Sequence, residues 1–256
     1  MVHLPPLPGS AGSFAAGPAL TMDEIIDRAV REATLLTKSG FDALIVENFG
    51  DAPFAADCVP PETVAAMAVV VSDVVRSVAV PVGVNVLRND ALAALAVAAA
   101  SGAAFIRVNV LSGTYATDQG IITGRARELL LRRAQVAPQV RIAADVHVKH
   151  AVPLSQPIVA LAAEETAYRG GADVLILSGP TTGRPADLDV IRRVRRAVSA
   201  WPLWIGSGVT AETVVDYLST ADAVIVGTAL KEGGRTTAPL DAARVRAFVK
   251  AARGAE

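Results

Sequence analysis

Asp145, His147 and Lys149 alternate with Val146 and Val148. In an extended strand this spacing points three polar side chains the same way, as a row of acid, base and cation. Asp beside His can fix an imidazole tautomer or share a divalent metal, and a desolvated Lys suits proton transfer or Schiff-base chemistry. Glu47, Arg107 and Asp145 lie among Val, Ile and Leu, where an ionisable group is costly unless it is paired or used, and Asn109 takes the place in its repeat that Glu47 has in the first. Glu47, Asn109, Asp145, His147 and Lys149 are therefore the candidate catalytic residues. Glu47, Asp145 and His147 are the candidate ligands should a divalent metal ion be the cofactor, and His3, Asn85 and Arg107 are candidate substrate-binding groups. The competing reading is a structural network of ion pairs.

A second chemistry is carried by small residues. Ser178-Gly179, Gly206-Ser207-Gly208 and Gly227-Thr228 each close an apolar run. Glycine lets main-chain N–H groups approach an anion, and a helix start adds a favourable dipole, so these are candidate phosphate-binding positions.

The elements that must position both sets are legible as repeats. Phe41–Asn48, Ala103–Val110, Ala172–Gly179 and Ala221–Thr228 are variants of one apolar phrase. Glycines at 40, 102 and 171 close helices before the first three. Val80–Val86, Val140–Val148, Trp201–Gly208 and a short Val2–Leu4 complete a set of eight strands. Helices are expected over Met22–Ser39, with Thr21 and Glu24 as a capping box, then after Pro60-Pro61, and over Asn89–Ser101 with Asn89 as cap. Others are expected over Ile121–Gln135, Pro157–Arg169, Ala186–Ala200, Thr210–Ser219 and Leu240–Arg253. Eight buried parallel strands, each followed by a helix, specify an α/β chain folded as one (β/α)8 TIM barrel over residues 1–256, with its chemistry at the strand C-termini. The loops 49–61 and 111–120 are long enough to wall that site. The brevity of Val2–Leu4 raises the expectation that residues upstream of Met1 complete the first strand.

The net charge of −1, with both signs interspersed, excludes an electrostatic footprint for nucleic acid or an anionic membrane. A lone Cys58 excludes an internal disulfide and suits a reducing cytoplasm. The apolar run Ala91–Ile106 is broken at Ser101-Gly102 and too short to span a bilayer, so no membrane insertion is expected, and the start of the chain does not read as a signal peptide.

Longer motifs add a resemblance. Met1–Ser10 (MVHLPPLPGS), Ile45–Phe54 (IVENFGDAPF), Val59–Val64, Pro81–Asp90 (PVGVNVLRND), Phe105–Val110, Thr117–Ile121 (TDQGI), Ala144–His150 (ADVHVKH) and Gly206–Val209 together resemble the BtpA family, also called the BtpA/SgcQ family, over nearly the full length. Departures from its pattern fall at Leu177–Arg184 and at Gly227–Lys231. The resemblance implies a TIM barrel close to those that bind ribulose-phosphate-like ligands. The phosphate is then expected on Ser178, Gly179, Gly206, Ser207, Gly208, Gly227 and Thr228. The partner is a small phosphorylated metabolite and the reaction an isomerase, lyase or glycosidase step, with a homo-oligomer as candidate assembly. The family's name implies an alternative, a non-catalytic factor for photosystem I biogenesis or stability. That alternative predicts an exposed apolar patch on the outer helices.

Overall fold

The computed structural model describes residues 1–15, 20–179 and 186–254, and the chain falls into two compact units. The first comprises residues 1–108 and 129–141, the second residues 109–128 and 142–256.

The first unit opens with β1 (Val2–His3), α1 (Ala11–Ala15), α2 (Met22–Lys38), β2 (Leu44–Glu47), α3 (Pro61–Ser77), β3 (Val82–Asn85), α4 (Ala91–Ser101) and β4 (Phe105–Val108). The capping box forms as expected: the Glu24 amide donates to Thr21 Oγ1 at 3.3 Å, and the Thr21 amide donates to Glu24 Oε2 at 2.8 Å. Pro61 begins α3, where its missing N–H costs nothing. At α4 the cap is Asp90, not Asn89, because only the Asp90 carboxylate reaches the Ala93 amide, at 2.9 Å. The four strands are parallel and neighbours in chain order.

Their register determines what each face carries. Val2, Val46, Val84 and Ile106 form one buried row, and His3, Glu47, Asn85 and Arg107 form the next. Successive residues of a strand face opposite ways, so the valine row and the polar row lie on opposite faces. On the polar face, the residues two positions earlier are Ile45, Gly83 and Phe105. A Cβ at Gly83 would overlap the Phe105 ring, so glycine there makes room for an apolar floor beneath the polar row.

In the second unit, β5 (Thr114–Thr117) and β6 (Gly120–Thr123) form an antiparallel hairpin around Asp118-Gln119. The expected helix over Ile121–Gln135 therefore begins late, as α5 (Ala126–Val136), whose residues from 129 onward belong to the first unit, because Ile121, Ile122 and Thr123 are drawn into the hairpin. Next come β7 (Arg141–Val146), β8 (Ala151–Pro153), which pairs with β5 to make a three-stranded sheet in the order β6-β5-β8, and α6 (Val159–Glu164). A π-turn over Glu165–Arg169 continues α6, closed by the Gly170 amide donating to the Glu165 carbonyl at 2.8 Å. The chain ends with β9 (Val174–Ser178), α7 (Leu188–Ala197), β10 (Leu203–Gly206), α8 (Val214–Leu218), β11 (Ala223–Ile225) and α9 (Ala242–Arg253). Strands β7, β9, β10 and β11 are parallel and neighbours in that order. Gly40, Gly102 and Gly171, the three expected helix-closing glycines, all have positive φ. Each of the eight expected parallel strands is present. No helix among the described residues is long and apolar enough to cross a membrane.

Candidate functional site

In the first unit the expected substrate-binding residues and one expected catalytic residue fall into a single row. His3, Glu47, Asn85 and Arg107 are register partners on successive strands, at or next to the C-terminal ends. His3 Nε2 lies 3.7 Å from Glu47 Oε1, and the His3 ring meets Phe49 edge-on at 5.1 Å. Asn85 Nδ2 donates to the Arg107 carbonyl at 3.2 Å. Above the row, Asn48 and Asp51 tie three strand-end loops together. The Leu7 amide donates to Asp51 Oδ1 at 2.8 Å, Asn48 Nδ2 donates to Asp51 Oδ2 at 2.9 Å, and the Leu87 amide donates to Asn48 Oδ1 at 2.7 Å. Burial raises the Asp51 carboxyl above its ordinary range, against the lowering effect of the Leu7 and Asn48 donors.

The second unit holds the remaining candidates. Asp145 is buried in β7, and its Oδ2 accepts a hydrogen bond from Asn109 Nδ2 at 2.8 Å. The expected row of Asp145, His147 and Lys149 does not extend as one strand. β7 stops at Val146, and His147 and His150 have left-handed backbones, with φ of 52° and 57°. Alternation of side chains therefore ends at His147. Its Nε2 donates to the Gln156 carbonyl at 2.7 Å, which assigns the proton to Nε2 in the neutral ring and leaves Nδ1 to accept one. Such a backbone at a non-glycine residue is costly and clusters at functional sites.

Tyr115, on β5, belongs to this group although its spacing carried no signal. Its ring meets His147 edge-on at 6.2 Å and packs with Val110, Ile122 and Val148. Burial raises the phenol above its ordinary value of 10.0; the His147 amide opposes this, and the charges of Asp145 and Glu165 add to it. A raised acid favours the neutral form in the fold. Its stabilising contribution is complete below pH 10 and is lost as pH rises through the folded value. Stability is thus expected to fall above pH 10, and Tyr115→Phe is expected to make that fall shallower, with Tyr217, also raised by burial, retaining its share. Denaturant melts across the alkaline range check this, and identical pH profiles for the two proteins would refute it.

The expected phosphate residues converge at the ends of β9, β10 and β11. Ser178 and Gly206 are register partners, as are Gly206 and Ile225. A Cβ on Gly206 would lie 3.2 Å from Ser178 Oγ, a buried hydroxyl with no hydrogen-bond partner among the described residues. Beyond β10 the chain turns through two left-handed residues, Ser207 and Gly208, with φ of 66° and 67°. Beyond β11 Gly227 leads into a 3-10 turn over Thr228–Leu230, and Thr228 Oγ1 lies 2.8 Å from Thr236 Oγ1. No acceptor among the described residues takes the main-chain N–H of Ser207, Gly208, Gly227 or Thr228. The family departure at Leu177–Arg184 lies, from Pro180 onward, outside the described residues.

Lys231 is the residue that spacing most clearly missed. It ends the Gly227–Lys231 stretch and has 0% exposure, the largest fully buried side chain among those described. A lysine closing an apolar Ala-Leu pair is the signal that was available. No cluster of three or more His, Cys, Asp or Glu among the described residues is placed to hold a metal ion.

Comparison with known proteins places these features in a family. The model of the BtpA family matches residues 1–254. The photosystem I biogenesis protein BtpA of Synechocystis sp. is 47% identical over 98% of this chain and 86% of its own length. Among solved structures, thiamine phosphate pyrophosphorylase from Pyrococcus furiosus aligns with a TM-score of 0.60 at 16% identity, over 88% of this chain and 90% of its own. N-(5'-phosphoribosyl)anthranilate isomerase from the same organism aligns with a TM-score of 0.58 at 15% identity, over 88% and 94%. At such identity the likeness shows the fold alone, an α/β (β/α)8 barrel.

Proposed function

Since this chain belongs to the BtpA family and has a (β/α)8 fold, we propose that it is an enzyme acting on a phosphorylated sugar or ribosyl-phosphate-type metabolite. The observation that carries this reading is the set of acceptor-free amides at Ser207, Gly208, Gly227 and Thr228, beside the unpartnered Ser178 hydroxyl. Donors of this kind suit a phosphate dianion, and the loops after the seventh and eighth strands are where such barrels hold one. Gly179 borders the same place. The names of two structural neighbours, one a thiamine phosphate enzyme and one a phosphoribosyl isomerase, are in keeping with it.

Proton transfer is assigned to Asp145, oriented by Asn109, and to His147 through Nδ1, with Tyr115 as a neutral hydrogen-bond donor. Lys149 follows His147 by two residues. His3, Glu47, Asn85 and Arg107 form a row of their own in the other unit. Isomerisation, retro-aldol cleavage and glycosidic cleavage all draw on such groups. The proposed setting is cytoplasmic.

Calorimetric titration with inorganic phosphate and ribose 5-phosphate tests the reading. Both are expected to bind at one site. Gly206→Val, whose side chain would fill the space against Ser178 Oγ, is expected to weaken binding by about a hundredfold. A wild-type protein that takes up neither ligand at millimolar concentration would contradict it. A second reading, favoured by the 47% identity to a photosystem I biogenesis protein, is a factor acting on assembly of a membrane complex. Among the exposed apolar residues of the described helices, Val69, Leu131 and Val215 stand on three different elements. Isolated residues of that kind are normal on a protein surface.

A further inference from the structure

The sheet β6-β5-β8 has two unlike faces. Tyr115, Ile122 and Ala151 belong to the packed side. On the other side Ile121, Ala116 and Val152 are register partners in one row across the three strands, and Ile121 and Val152 are 60% and 64% exposed. Thr114, Thr123 and Leu154 continue this outward face by alternation, so it carries no charge.

The hydrogen-bond pattern also identifies an open edge. The Gly124 amide donates to the Gly113 carbonyl at 2.8 Å, and the Leu154 amide donates to the Thr114 carbonyl at 2.8 Å. In an antiparallel ladder bonded pairs recur every second residue, so Tyr115 and Thr117 bond toward β6, with Ile122 and Gly120 as partners. The main-chain groups of Ile121 and Thr123 then point away from β5, and nothing among the described residues pairs with them. Exposed edges are ordinarily blunted by Lys, Pro or a bulge, and Gly120-Ile-Ile-Thr123 has no Lys or Pro.

We infer that β6 pairs antiparallel with β6 of a second copy of this chain, about a twofold axis at Ile122. Ile121 of one copy then exchanges main-chain hydrogen bonds with Thr123 of the other, the two sheets become continuous, and the Ile121 side chain packs on the Thr123 methyl. Charge at the strand ends selects this partner and direction. Asp118 precedes β6 and Arg125, which also pairs with Glu128 of its own chain at 2.6 Å, follows it, both exposed, so antiparallel pairing brings Asp118 of each copy toward the Arg125–Glu128 pair of the other, where the guanidinium can bridge the two carboxylates. Parallel pairing would set like charges together. A twofold contact also closes on itself and leaves no edge for further growth.

Sedimentation equilibrium of the full chain, from micromolar to millimolar concentration, is expected to show a monomer–dimer equilibrium. Thr123→Pro removes the outward amide, at the cost of one long side-chain contact to Thr114 Oγ1 at 3.4 Å, and Ile121→Lys places a charge on the apolar face. Each is expected to raise the dimer dissociation constant at least about tenfold, with unchanged far-ultraviolet circular dichroism. Asp118→Lys and Arg125→Glu are each expected to weaken the dimer, and the two together to restore it, which also keeps the test intact if the strand variants misfold. A wild-type protein that stays monomeric, or a dimer indifferent to all these changes, overturns the inference.

Discussion

Gly50→Ala is expected to cost this protein about 3 kcal/mol or more of stability, an unusual loss for one methyl group. A Cβ at Gly50 would overlap the Pro6 nitrogen and the Pro5 carbonyl carbon and lie 2.7 Å from Pro6 Cδ. These are mainly backbone atoms of a rigid Pro-Pro pair and cannot swing aside. Nor can the segment retreat cheaply: the Gly50 amide donates to the Leu4 carbonyl at 3.0 Å, and Asp51 holds the Leu7 amide. The loops after β1 and β2 would have to separate. Gly102→Ala makes the comparison, since its φ of 79° is left-handed while the nearest atom, Val75 Cγ1, is 3.9 Å away. There only the conformational cost of roughly 1–2 kcal/mol is expected. Urea unfolding of both variants decides the matter, and equal losses would show that the Pro5-Pro6 contact yields.

Asp145→Asn is expected to lower turnover about a thousandfold or more while leaving the melting temperature within a few degrees. The carboxylate is buried, and Asn109 Nδ2 donates to it at 2.8 Å. An isosteric amide presents the same oxygen to Asn109, so packing survives, whereas the capacity to take a proton does not. The assay is steady-state kinetics on whichever phosphosugar the titrations identify. Activity within a few-fold of wild type would remove Asp145 from the chemistry, and a collapse of the melting temperature would make its role structural.

The eight parallel strands, the Thr21–Glu24 capping box, the proline start of α3 and the glycine helix ends were legible because each is a local rule written in adjacent residues. The row of His3, Glu47, Asn85 and Arg107 was legible as strand-end polar residues, and the small residues at the ends of β9, β10 and β11 as interrupted apolar runs. The hairpin at Thr114–Thr123 was not, because its third strand, Ala151–Pro153, joins it through pairs such as Tyr115 with Pro153, more than thirty residues apart. Only that pairing turns Ile121–Thr123 from a helix start into an edge strand, and brings Tyr115 to His147. The left-handed turn at His147, the choice of Asp90 over Asn89 as a cap and the burial of Lys231 were likewise decided by tertiary packing. Each depends on which distant groups come within hydrogen-bond or van der Waals reach, and local sequence periodicity carries no record of that.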